Sequence, residues 1–244
     1  ACIIDGQGAS RLIVFDNGEL ESSRVEGLTF TGGAGAHGGA IEVAPGSAPT
    51  ITGSVFTNNT STGDGGAIAI SNGEMTISGC AFVGNGAMRG GAVSNTLGLV
   101  RFVGCTFEGN TSTLGGGAVY GGANSSTSFE DCGFHANVAG ESGGAVQNSG
   151  LGFLSFVACD FEGNSAGVSG GAIFNNGIIQ ALDACTFTGE RAGAGDGGAI
   201  YHAGDELPVS NSTFLDCASI MGRGGAIASI SPSISIADSS FVEC

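Results

Sequence analysis

The apolar positions of this chain repeat at a long, steady interval. A phenylalanine stands at Phe30, Phe56, Phe82, Phe107, Phe134, Phe161, Phe187, Phe214 and Phe241, a step of 25 to 27 residues. Five residues before each lies a second apolar column, Val25, Ile51, Ile77, Phe102, Phe129, Phe156, Leu182, Val209 and Ile236. A Gly-Gly-Ala triplet keeps the same step, with its alanine at Ala40, Ala67, Ala92, Ala118, Ala145, Ala172, Ala199 and Ala226. The residue after each triplet is always Ile or Val, from Ile41 and Ile68 to Ile200 and Ile227. Self-similarity at a fixed period of this length is the mark of a solenoid.

Columns of this kind need a geometry that sets equivalent residues of successive repeats on top of one another, and parallel strands about 4.8 Å apart supply it. The apolar segments are short, β-branched or aromatic, and separated by Gly, Ser and Asn, so they read as strands; helix caps and a 3.6-residue period are missing. The pattern predicts an all-β fold, a right-handed parallel β-helix of about nine coils of 25–27 residues, each with two or three short strands, in a rod about 45 Å long. Residues 1–244 read as a single domain. Because Cys244 ends the sequence inside its motif, the expectation is a segment of a longer chain or assembly, with the last coil covered by another domain or subunit. The leucine-rich solenoid of similar period is excluded by its missing L-x-x-L-x-L signature.

Composition sharpens this picture in three places. Glycine accounts for 48 of 244 residues, but without a three-residue period and with only four prolines it serves as punctuation, and the paired glycines fit a bend where the backbone takes positive φ or passes close to its neighbour. Acidic residues outnumber basic ones 22 to 6, for a net charge of −16 with no lysine, which argues against nucleic acid or an anionic membrane surface as partner. No apolar run is long enough to span a bilayer, so this segment is not expected to insert in a membrane.

The Gly-Gly-Ala-[Ile/Val] motif alternates with Phe-x-x-Asn, which stands at Phe56 to Asn59, Phe82 to Asn85, Phe107 to Asn110, Phe134 to Asn137 and Phe161 to Asn164. This pair of motifs resembles the repeats of the chlamydial polymorphic membrane proteins over nearly the whole chain. The resemblance implies an extracellular β-helical passenger of the autotransporter kind, involved in adhesion. Phe187, Phe214 and Phe241 depart from the motif, being followed three residues on by Glu190, Cys217 and Cys244.

Stacked asparagine amides can hydrogen-bond from rung to rung, so the Asn59 to Asn164 column is expected to be a structural ladder, with Asn148 and Asn175 starting a second. Cysteines form a column two residues before the phenylalanines, at Cys80, Cys105, Cys132, Cys159 and Cys185, expected to point inward. Adjacent rungs fall within disulfide reach, so Cys80–Cys105 with Cys132–Cys159, or the frame shifted by one, can bridge; Cys217 and Cys244, adjacent in the asparagine column, are the clearest candidate pair. Bridges would place the chain outside the cytoplasm, and a reduced thiol ladder is the alternative. Sequons at Asn58, Asn59, Asn110, Asn124 and Asn211 are candidates for N-glycosylation.

No motif points to a cofactor or a metal: C-x-x-C pairs, Cys/His clusters, phosphate loops and Ser-His-Asp orders are all missing. The nearest thing to a reactive set is a surface column one residue past the phenylalanines, where Glu108, His135 and Glu162 occupy consecutive rungs with Asp160 alongside. Such a set could bind a divalent ion or work as acid and base, and its plainer reading is a solvated strip. Asp64 with Arg89 and Asp196 with Arg223 are expected to pair from rung to rung. The expectation for function is a noncatalytic structural or adhesive module of a cell surface or filament, whose partners are other copies or domains of the assembly and glycans. The alternative is a carbohydrate-active, pectate-lyase-like enzyme or glycan-binding β-helix.

Overall fold

The computed structural model describes residues 2–244. Its strands are all parallel and stack coil upon coil into four sheets. The phenylalanine sheet has ten strands, from Cys2–Asp5 and Leu28–Thr31 to Ser240–Val242. A nine-stranded sheet follows the Gly-Gly-Ala motif, from Ile13–Phe15 to Ile227–Ser229. A second nine-stranded sheet, from Arg24–Glu26 to Ser233–Ala237, precedes the phenylalanines. The fourth has eight strands of two residues each, from Ala34–Gly35 to Ala218–Ser219. Each full coil therefore carries four strands, one more than the sequence pattern suggests, because a two-residue strand holds a single inward position and shows no alternation.

The register is that of the sequence columns: Phe82 pairs with Phe56 and Phe107, and Phe134 with Phe107 and Phe161. Their rings stack nearly parallel, with centroids 4.6 to 5.0 Å apart along the whole column. Phe102, Phe129 and Phe156 form a second stack that meets the first edge-on, at 5.4 Å between Phe102 and Phe107 and 5.2 Å between Phe129 and Phe134. Offset and edge-on aromatic pairs add stabilisation beyond the area they bury. The alanines and β-branched residues after each glycine pair close the core from the opposite side.

The two glycines of each pair answer to different constraints. Gly143 sits at φ +66°, and a Cβ there would lie 2.3 Å from the Val146 carbonyl oxygen. Gly144 has ordinary φ, but a Cβ on it would lie 2.0 Å from the carbonyl oxygen of Gly171 in the next coil. The first glycine makes the turn and the second lets coils approach to strand spacing.

Two left-handed residues bracket the phenylalanine strand in most coils, for example Asp131 and Ala136 around Phe134, at φ 52° and 51°. Immediately after the second corner comes the asparagine column. Asn59, Asn85, Asn110, Asn137 and Asn164 are fully buried. The Oδ1 of Asn137 accepts from both the backbone N–H and the Nδ2 of Asn110, at 3.0 and 2.9 Å, while its own Nδ2 donates to the Phe107 carbonyl at 2.9 Å and to Asn164 Oδ1 at 2.9 Å. The same bonds recur at Asn59, Asn85 and Asn110. A second ladder runs from Asn148 through Asn175 to His202, at 2.8 and 3.0 Å, and Asn95 caps its own turn in the same column.

Replacing Asn137 by Ala leaves the buried backbone N–H of Asn110 without an acceptor and takes one partner each from the Asn110 amide, the Phe107 carbonyl and Asn164 Oδ1. Each such group costs about 1–3 kcal/mol. Asn137→Ala is therefore expected to lower unfolding stability by roughly 3 kcal/mol or more in a urea titration, whereas Asn124→Ala, at an exposed loop position of ordinary φ, should shift it by less than about 1 kcal/mol.

Candidate functional site

The phenylalanine sheet turns one face outward, and there the strands Thr106–Glu108, Gly133–His135 and Asp160–Glu162 place Glu108, His135 and Glu162 side by side in register. His135 does not simply stand in its column. Its Nε2 reaches Asp160 Oδ2 at 3.2 Å, one rung on and two positions earlier along the strand. Gly133 makes this possible: a Cβ at that position would lie 2.9 Å from His135 Cε1, so any side chain there would push the ring away from Asp160. Thr186 donates to the other oxygen of Asp160. One ligand atom each of His135, Asp160 and Glu162 lies within 4.8 Å of the other two, a spacing suited to a hydrated divalent cation held by one nitrogen and carboxylate oxygens. Glu108 borders this group from the preceding rung and is not part of it. The three groups lie open on a flat wall, with His135 and Asp160 side chains 37% and 53% exposed, so the field they share is screened by water.

The grooves of the molecule lie elsewhere. One, of about 430 Å³, follows the two-residue strands and is lined by Thr60, Thr62, Met88, Thr111 and Thr113. Another, of about 250 Å³, lies between Leu151, Ile178 and Asp205. Neither brings carboxylates together as glycosidic bond cleavage requires.

The cysteines Cys80, Cys105, Cys132, Cys159, Cys185 and Cys217 are buried, as the column predicts, and Cys244 is exposed; all are free thiols, so neither candidate frame nor the Cys217–Cys244 pair is bridged. Each sulfur is engaged with backbone instead. Cys159 Sγ donates to the carbonyls of Val157 and Phe129, at 3.4 and 3.6 Å. Serine does the same work where it replaces cysteine, Ser54 donating to Thr52 O at 3.2 Å while it accepts from Leu28 N at 3.3 Å. Adjacent rungs are within the Cα reach of a disulfide, but a bridge would have to draw the Cβ atoms from the rung spacing to roughly 3.8 Å and give up these backbone contacts.

Two sequons need correction. Asn59 and Asn110 are fully buried and their Nδ2 atoms belong to the ladder, so a glycan on either would remove its bonds. Asn58, Asn124 and Asn211 are exposed, although the Asn211 amide is held by Asp183 at 2.8 Å. The ion pairs foreseen at Asp64–Arg89 and Asp196–Arg223 form, at 3.2 and 2.8 Å, and Arg191–Asp216 adds another between rungs at 2.8 Å.

Glu190 is the group whose importance the sequence understates. It takes the asparagine position in the ladder, wholly buried, and accepts from Asn164 N and Nδ2 at 3.1 and 3.2 Å. Burial pushes its carboxyl well above the usual carboxylate range, opposed by the Asn164 bonds; nearby Asp160 pushes the same way and Arg191 the other. The Arg191 guanidinium is turned toward the Asp216 carboxylate and binds only the backbone carbonyl of Glu190. His202, buried at the end of the second ladder, has its pKa lowered by loss of solvation.

A group protonated more readily in the folded than in the unfolded state stabilises fully below its unfolded pKa, near 4.5 for Glu190, and loses that contribution as pH rises toward the folded value. Glu190→Gln keeps the ladder bonds without the charge. The variant should match the wild type near pH 4 and exceed it at pH 7 by up to about 3 kcal/mol in denaturant titrations. A difference that does not change with pH would contradict a buried acid at this position.

The repeat and the stacked parallel sheets agree with comparison to known sequences. No curated protein and no solved structure matches the chain. The family described as right handed beta helix region matches residues 11–214 of the 244. The chain belongs to that right-handed β-helix family.

Proposed function

We propose that this β-helix is a noncatalytic structural and adhesive module of a cell surface or filament, acting outside the cytoplasm through lateral contacts between copies. One observation carries the reading. Four of the loops that join the Gly-Gly-Ala sheet to the next sheet carry an exposed apolar side chain: Leu20, Leu97, Leu151 and Ile230 in the first, fourth, sixth and ninth coils, with Leu99 and Ile178 at the strand starts of the fourth and seventh. Leu151 is 79% exposed and Leu20 69%. Isolated exposed leucines are ordinary, but their recurrence at intervals along one edge of a rod gives that edge several apolar contact points, the kind of feature that marks an interaction site. The resemblance of the repeats to surface passenger domains and the exposed sequons at Asn58, Asn124 and Asn211 support the location.

A net charge of −16 sets copies against one another at low salt, and screening weakens that repulsion. Electron microscopy at raised ionic strength should therefore show rods joined side by side or end to end, and Leu97→Ser with Leu151→Ser should disperse lateral contacts without unfolding the chain. Isolated rods under all salt conditions would overturn the proposal.

The convergence of His135, Asp160 and Glu162 favours a second reading, a glycan-binding or carbohydrate-active surface. A polysaccharide-cleavage screen and glycan arrays test it: activity or binding lost in His135→Ala and Glu162→Gln, with Glu108→Gln as the neighbouring control, would establish this reading in place of the first.

A further inference from the structure

Cys80, Cys105, Cys132, Cys159 and Cys185 are buried on five successive rungs, each two residues before a stacked phenylalanine. Those rings stand 4.8, 4.9, 4.7 and 4.6 Å apart, and the cysteines keep the same two-residue offset on every rung, so they succeed one another at the rung spacing. The result is a straight file of thiols, set in an apolar core just inside the left-handed corner residues Gly79, Gly104, Asp131, Ala158 and Ala184.

We propose that adjacent thiols of this file bind Cu(I), one ion between two rungs, in linear two-coordinate geometry. Thiolate–metal bonds are about 2.3 Å long, so two of them in line span about 4.6 Å, the distance the rungs already provide. A disulfide would have to draw the same side chains closer together. The file offers sulfur in a line, two per gap, whereas zinc takes four ligands around a point. Soft sulfur ligands with no nitrogen or oxygen partner select a soft cation such as Cu(I).

Charge balance fits the surroundings. One S–H bond breaks, its sulfur bonds the incoming ion, the neighbouring thiol sulfur donates a lone pair, and the proton leaves to solvent. No electron is transferred, and the bridged unit is neutral, which spares the core an unpaired buried charge. The thiols also act on one another. Cys80 and Cys185, at the two ends, are held below the usual thiol value by the neighbouring Cys105 and Cys159 thiols. Cys132 is pushed up to about 12 by the Cys105 thiol. Cys105 reaches about 12 as well, the lowering by Cys132 being outweighed by the Cys80 thiol and by burial.

Five thiols in a row hold two pairs that share no sulfur, so the file takes two ions. The position of a missing thiol then matters more than the number missing, which separates this site from independent thiols. Serine already occupies the column at Ser54, Ser212 and Ser239, so serine substitutions keep its hydrogen-bond donor. The reduced protein is titrated anaerobically with Cu(I) against a colorimetric Cu(I) chelator, with circular dichroism as the check on folding. Cys132→Ser leaves two adjacent pairs and should bind as many ions as the wild type, whereas Cys105→Ser should bind one fewer. C80S/C185S should lose one ion and C105S/C159S, with the same number of thiols, two. Equal losses in the two double variants, or equal capacities for Cys132→Ser and Cys105→Ser, would overturn the proposal, as would a wild type that takes no Cu(I) beyond the capacity of C105S/C159S. The single variants keep the test decisive if C105S/C159S does not fold.

Discussion

The structure depends on one constraint: each coil must lie a strand spacing from the next, with the same residue above and below itself. Backbone hydrogen bonds between parallel strands set the spacing, but they do not say which residue meets which. That choice is made at the corners. After the second left-handed corner of five coils an asparagine points inward, and in all but the first of them its oxygen accepts both the backbone and the side-chain nitrogen of the preceding rung. A shift of one residue would leave these groups unpaired inside the core, where each costs far more than a lost surface contact. After the first corner a thiol or hydroxyl binds the carbonyl two residues back, as at Cys159 and Ser212. The phenylalanine between the two corners is thereby held over its neighbours.

This division of labour explains where the chain is conservative in its own repeats and where it varies. Inward positions repeat chemically because each must satisfy the rung above and the rung below. The outward face of the phenylalanine strand has no such obligation, and the same column runs through Val83, Glu108, His135, Glu162 and Thr188. Local chemistry therefore appears on the walls, in the His135–Asp160 contact and the apolar loop edge, without disturbing the scaffold. Glu190 shows the opposite case, an inward position that departs from its column and keeps the ladder bonds with a buried carboxyl in place of an amide.

Much of this was legible in the sequence, because a solenoid core is nearly one-dimensional and its columns can be read at a fixed step. The phenylalanine stack, the asparagine ladder, the inward cysteines and the Asp64–Arg89 pair all follow from that step alone. What could not be read depends on relations across a rung or along its depth. The fourth sheet, with strands such as Thr111–Ser112, is too short to show alternation. Gly133 looks like any other glycine until the ring of His135 is seen to occupy the space of its missing side chain. His202 continues the Asn148–Asn175 ladder with a different chemical group, so no residue match announces it. The sequon motif, finally, records chemistry and not orientation, which is why it marks the buried Asn59 and Asn110 together with the exposed Asn58.

The most direct test of the corner ladders is native-state hydrogen exchange, read residue by residue for the backbone N–H and side-chain amide protons of Asn85, Asn110 and Asn137. If these bonds hold the register, their protons exchange only through the largest unfolding event of the chain, as slowly as the Phe107 and Phe134 backbone between them. Exchange at the rate of the exposed corner residues, while the phenylalanine strand stays protected, would show that strand pairing and aromatic packing hold the coils together without them.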